Sequence, residues 1–144
     1  MDLCFIGAGR LATQLARALR KEGGHRIVAV TSRTTATAQR LAHDVGAEAV
    51  SDISAIATRT ADAFIVAVSD DALPAVAACL HTKAPVFHTA GSVPMSVFDG
   101  LTHHGVIYPM QTFSKERTVD FRCVPFFIEA SDAATLAVAQ KIAA

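Results

Sequence analysis

Neither sign of charge predominates in this sequence. Thirteen Lys and Arg balance thirteen Asp and Glu, giving a formal net charge of zero. A chain with no basic stripe cannot neutralise a run of phosphates, so a nucleic-acid partner is not expected. Long apolar runs are missing too. The longest are strand-length, too short to cross a bilayer, and no membrane partner is expected. No basic-then-apolar leader opens the chain, because Leu3 already falls in the first apolar strand, so the expected location is cytoplasmic. Cysteine is scarce: Cys4, Cys79 and Cys123 form an odd set with no Cys-x-x-Cys pair, which argues against a disulfide framework or a zinc site. Cys4 lies in an apolar strand and Cys79 on the apolar face of an expected helix, so both read as buried structural thiols. Six histidines (His25, His43, His81, His88, His103 and His104) are scattered without metal-ligand spacing, and no metal is expected.

What is present is apolar material in short, regular runs. At 144 residues, 51% hydrophobic and 18% charged, the chain suffices for one domain with a substantial core, and disorder is excluded. Apolar runs at 3–6, 27–30, 48–50, 63–68, 86–88, 105–108 and 125–129 predict strands. Between them the period lengthens to that of a helix. Leu11, Ala12, Leu15, Ala16 and Leu19 share one face, and Gly23-Gly24 ends that helix. Ala38, Leu41, Ala42 and Val45 share the next, capped by Thr34 or Thr35 and stopped at Gly46. A short helix is expected near 53–57. Asp70 or Asp71 should cap a helix with Pro74 in its first turn and Val76, Ala77 and Leu80 facing inward. Pro94 opens a short turn of helix that ends by Gly100. The pair His103-His104 reads as a solvated turn. A polar loop is expected at 111–120, and the last helix follows Asp132 with Ala134, Leu136, Ala139 and Ile142 as its apolar residues. Repeated strand–helix alternation implies parallel pairing by right-handed crossovers. The expected fold class is α/β, a doubly wound, mostly parallel Rossmann sheet with helices on both faces.

The first strand runs into Gly7-Ala8-Gly9-Arg10-Leu11-Ala12 and then directly into a helix. Strand, Gly-x-Gly-x-x-Ala and helix together form the dinucleotide-binding fingerprint in its required setting. Gly7 allows the tight turn, Gly9 lets a pyrophosphate approach the backbone, and Ala12 keeps helix and strand close. The phosphates would rest on the free amides and positive end of that helix. Where NAD-binding proteins place an acidic residue, about twenty positions on, this chain has Ser32-Arg33-Thr34 and no carboxylate. A guanidinium and hydroxyls suit a 2′-phosphate, with Arg33 as a fork and Ser32 and Thr34 as donors, so the expected cofactor is NADP(H). A solvated loop cation is the plain alternative for Arg33.

Other strand ends offer further candidates. Val68, Ser69 and Asp70 would pass beneath the ribose–nicotinamide half, with Ser69 bonding a ribose hydroxyl. Thr89, Ala90, Gly91 and Ser92 would frame the nicotinamide, with Gly91 permitting backbone approach. A turn bounded by Pro109, reaching from Tyr108 through Gln111 to Ser114, could form a substrate wall. Tyr108 is the sole tyrosine and no Tyr-x-x-x-Lys pair exists. The candidate proton donors are therefore His88, Ser92 and Tyr108. A methyltransferase with a similar glycine turn is a rival reading, but it would place an acidic residue after the second strand.

Taken in order, Gly-Ala-Gly-Arg-Leu-Ala (7–12), Ser-Arg-Thr (32–34), His-Thr-Ala-Gly-Ser (88–92), Tyr-Pro-Met-Gln-Thr-Phe-Ser (108–114) and Pro-Phe-Phe-Ile-Glu-Ala (125–130) resemble a family of provisionally assigned NADP oxidoreductases. That family has a Rossmann-like N-terminal domain and a helical C-terminal domain of unknown function. It is similar to pyrroline-5-carboxylate reductases, to ketopantoate and prephenate dehydrogenase relatives, and to the 6-phosphogluconate dehydrogenase-like superfamily. The resemblance implies a hydride transfer between nicotinamide and a small imine, keto or hydroxy acid. It also implies that residues 1–144 are the NAD(P)-binding domain, and that the helical domain closing the substrate pocket and carrying a homodimer contact is absent. The expectation is a fragment or natural short form that binds coenzyme and turns over little or nothing. A non-catalytic NADP-sensing or protein-interaction module is the alternative.

Overall fold

The computed structural model describes residues 1–110 and 120–144. Its strands are β1 (Asp2–Ile6), β2 (Arg26–Thr31), β3 (Glu48–Ala49), β4 (Ala63–Val66), β5 (Val86–His88), β6 (His104–Pro109) and β7 (Phe126–Ala130). The helices are α1 (Arg10–Lys21), α2 (Thr35–Val45), α3 (Ile53–Ala57), α4 (Leu73–Cys79) and α5 (Ala133–Ala143). The strands form one sheet in the order β3-β2-β1-β4-β5-β6-β7. The chain moves outward from β1 to one edge, then returns to β1's other side with β4. That reversal is the doubly wound α/β pattern.

Side-chain alternation divides the core into two layers. Leu3, Phe5, Ile65, Phe87 and Ile107 point to one face and meet Leu15, Leu41, Ala139 and Ile142 from α1, α2 and α5. Cys4, Ile6, Phe64, Val66 and Val86 point to the other and meet Ile56, Leu73 and Val76 from α3 and α4, with Leu80 and Phe98. Central strands buried on both faces require near-continuous apolar sequence, which is what these runs supply. Burial pushes the Cys4 thiol up to about 11, as befits a thiol packed inside a strand.

Several expectations need correction. β1 to β6 pair in parallel, but β7 runs antiparallel to β6. The Met110 amide bonds the Pro125 carbonyl (2.9 Å), so the chain returns along the same edge and needs no crossover helix over the sheet. β4 stops at Val66, two residues early, because Ala67 and Val68 turn toward Gly7. Cys79 is exposed at the end of α4. In α5 the buried side is Thr135, Ala139 and Ile142, while Leu136 is exposed. The expected loop at 111–120 lies almost wholly outside the described residues.

The His103-His104 pair is structural. His104 begins β6, is buried, and bonds the Leu101 carbonyl through Nδ1 (2.9 Å). His103 Nδ1 donates to Asp132 (2.7 Å), the N-cap of α5, whose carboxylate also accepts from the Thr135 amide (2.7 Å) and the Ser131 hydroxyl (3.2 Å). The Thr135 amide first, then His103, holds the Asp132 carboxyl well below the usual carboxylate range. A lowered native value means stability present above the unfolded value of 3.8 and lost as pH falls below it. Asp132→Ala should therefore lower Tm at pH 7, and the gap to the parent should close between about pH 4 and pH 2. Thermal melts across that range test this; a gap independent of pH contradicts it.

Candidate functional site

The carboxyl ends of β1 and β4 lie side by side where strand order reverses, the place at which open α/β sheets bind ligands. Gly7 leaves β1 with φ +108°, and a Cβ there would stand 2.1 Å from the Ala67 carbonyl oxygen. No other residue fits that turn. The Gly7 amide bonds the Thr31 carbonyl (2.8 Å) and the Ala67 amide bonds the Ile6 carbonyl (2.8 Å). The turn thereby ties β1 to the ends of both β2 and β4. Ala8 and Leu11 are half-buried against the core, and Ala12 is buried between α1 and the sheet.

Gly9 is different. It is exposed at the N-cap of α1, and among the described residues a Cβ there would meet no atom within 4 Å. No side chain caps this helix and its first turn has no acidic residue. Among the described residues, the amides ahead of Thr13 therefore have no acceptor, and they stand at the positive end of a twelve-residue helix. An anion fits that space.

At the end of β2, Ser32 Oγ lies 2.7 Å from the Thr34 carbonyl and 2.8 Å from Thr37 Oγ1. Thr37 Oγ1 also lies 2.9 Å from the same carbonyl. The single Ser32 proton is committed within the turn, so Ser32 can accept from a ligand but does not donate to one, contrary to expectation. Thr37 was missed; a hydroxyl three residues after Thr34 is the local signal that could have found it. Thr34 occupies the N-cap of α2 but its hydroxyl makes no capping bond. Arg33 is exposed, and among the described residues no carboxylate pairs with it or with Arg10.

At the ends of β4 and β5 two loops are tied together. Asp70 does not cap a helix: Ser69 takes the N-cap position of a 3-10 turn (Asp70–Ala72) that precedes α4. The Asp70 carboxylate instead accepts from Ser92 Oγ (3.0 Å). Ser69, Asp70, Gly91 and Ser92 are exposed, Val68 and Ala90 half-buried and Thr89 buried. Gly91 packs against the ring of Tyr108. A Cβ there would lie 2.6 Å from the Tyr108 ring, so Tyr108 occupies that approach.

His88 is fully buried. Its Nδ1 accepts from the Ala90 amide (3.1 Å), which leaves Nε2 protonated and donating to the Pro94 carbonyl (3.2 Å). Its ring meets Phe98 edge-on, with centroids 5.7 Å apart. Burial lowers its pKa, opposed by the Pro94 bond and the Asp70 charge. Both nitrogens brace the 89–94 loop, which removes His88 as a proton donor. The Ser92 hydroxyl is engaged, donating its hydrogen bond to Asp70. Of the three candidates, Tyr108 alone has a hydroxyl with no bond to a described residue. The substrate-wall residues 111–114 lie outside the described residues. Among the described residues, no three of His, Cys, Asp and Glu gather closely enough to hold a metal, and no helix is long and apolar enough to cross a membrane.

The sequence pattern of the family described as "NADP oxidoreductase coenzyme F420-dependent" matches residues 2–87. Among solved structures, BF3122 from Bacteroides fragilis, provisionally titled an NADP oxidoreductase, is 45% identical with a TM-score of 0.84; the match covers 99% of this chain and 56% of that one. Protein TM1727 from Thermotoga maritima is 24% identical with a TM-score of 0.78, over 98% of this chain and 53% of that one. A pyrroline-5-carboxylate reductase from Coxiella burnetii is 19% identical with a TM-score of 0.76, over 98% of this chain and 54% of that one. The last two are likenesses of fold. This chain spans about half the length of each. No curated protein matches it.

The two glycines of the turn should behave oppositely in thermal melts. Gly7→Ala forces Cβ into the Ala67 carbonyl and should cost about 2–4 kcal/mol. Gly9→Ala meets open space at φ −78° and should leave stability within about 0.5 kcal/mol of the parent. Equal losses would contradict the geometry described.

Proposed function

Since the chain belongs to the family described as "NADP oxidoreductase coenzyme F420-dependent", we propose that it binds NADP(H) across the carboxyl ends of β1, β2, β4 and β5 and serves an oxidoreductase. The observation that carries this reading is the uncapped start of α1 above open space at Gly9. The pyrophosphate would take the amides of Gly9, Arg10, Leu11 and Ala12, with the Arg10 side chain near the same helix end. Arg33, free of carboxylate partners among the described residues, would fork the 2′-phosphate. Thr34 would donate to it, and Ser32 would brace the turn that presents both residues. The absence of an acidic residue after β2 removes a repulsion that NADP would otherwise meet.

The second nucleotide half would lie over the loops 68–70 and 89–92. Bound there, the nicotinamide supplies hydride chemistry; the protein's part is orientation and a proton. The Tyr108 hydroxyl, with no bond to a described residue, would hold that proton, and the reading carries over a small imine, keto or hydroxy acid as substrate. A second reading, a module that senses NADP(H) without turnover, is favoured by the internal engagement of His88 and Ser92. Both readings share the site tested next.

A hydrogen bond to a charged group contributes about 1.5–3 kcal/mol net, or roughly ten- to a hundredfold in affinity. Arg33→Ala should weaken NADPH by about that factor and leave NADH nearly unchanged. Gly9→Ala should weaken both coenzymes alike. Titration calorimetry distinguishes these patterns, and equal losses for both coenzymes in Arg33→Ala would overturn the assignment of NADP.

A further inference from the structure

We propose that Asp70 makes this site prefer the oxidised, cationic nicotinamide over the reduced, neutral one. This rests on the binding mode proposed above. If the adenosine half lies over β1 and β2, the other half must lie over β4 and β5. Asp70 stands at the exit of β4, and its bond to Ser92 at the exit of β5 spans those two strand ends (3.0 Å). The carboxylate is thereby drawn away from the helix-capping role its position suggests and held between the two loops. Its charge is not neutralised: among the described residues it has no Lys, Arg or His partner within ion-pair distance. Accepting one hydrogen bond from a hydroxyl leaves the full negative charge in place. Beneath it, His88 offers no compensating cation, because the Ala90 and Pro94 bonds fix its ring as the neutral tautomer. The two coenzyme forms differ at the nicotinamide by one positive charge and are otherwise held alike. A fixed anion at that end attracts only the pyridinium form.

The test is the ratio of dissociation constants for NADP⁺ and NADPH, read by calorimetry on the intact chain. Asp70→Asn keeps an acceptor for Ser92 and removes the charge. It should raise the NADP⁺ constant relative to NADPH by about two- to tenfold, the scale of one carboxylate acting through partly screened solvent. Ser92→Ala removes the tie but keeps the charge, and should move both constants by a similar factor. Without any substitution, raising ionic strength from about 0.05 M to about 0.5 M should shrink the preference, because the Debye length falls to a few ångströms. An unmoved ratio in Asp70→Asn with both coenzymes still bound overturns this proposal alone, as does a shift of the same size in Ser92→Ala. No binding of either coenzyme by the unaltered chain overturns the functional reading itself.

Discussion

The contact between the Gly7 backbone and the Ala67 carbonyl is the constraint from which the site follows. At φ +108° and with only 2.1 Å to spare for a Cβ, the first turn can be made by glycine alone. The same turn donates to Thr31 at the end of β2. Three strand ends are thus gathered around one residue, and α1 leaves with its uncapped amides beside the gap between β1 and β4. The proposed anion site is a product of backbone packing, with side chains added around it. That is why Gly9, whose missing Cβ would touch no described residue, is the more telling glycine.

Polar residues at the strand ends divide into two sets. His88, Ser32 and Thr37 spend their protons on neighbouring carbonyls and shape the loops. Ser69, Asp70, Arg33, Thr34 and the Tyr108 hydroxyl face outward or keep capacity for a ligand. The first set is costly to bury without partners and each member has one. The second set carries the charges, positive beside β2 and negative beside β4. A dinucleotide with a phosphorylated ribose at one end and a nicotinamide at the other matches that polarity.

Much of this was legible in the sequence. Short continuous apolar runs and a period of 3.6 placed the strands and the longer helices, because buried parallel strands and amphipathic helices leave unlike apolar patterns. The resemblance carried by residues 7–12, 32–34 and 88–92 led to the family to which the chain belongs. Direction and pairing were less legible. β7 reads like any other strand, and its antiparallel ladder with β6, extended by the bond between Met110 and Pro125, reveals that it doubles back. Cys79 sits at a helix end where period alone cannot tell cover from exposure. His88, Asp70 and Gly91 could not be read locally, since their partners (Pro94, Ser92 and Tyr108) are chosen by the tertiary fold. Residues 111–114, read as a substrate wall, fall outside the described region.

The central claim is that the amides opening α1 hold a dinucleotide pyrophosphate. The most direct measurement is a titration of the ¹⁵N-labelled chain with NADPH, followed by amide chemical shifts. The account predicts that the largest saturable shifts fall on Gly9, Arg10, Leu11 and Ala12, with a second group at Ser32, Arg33 and Thr34. Shifts confined to another part of the surface, or none at coenzyme concentrations of several millimolar, would contradict it.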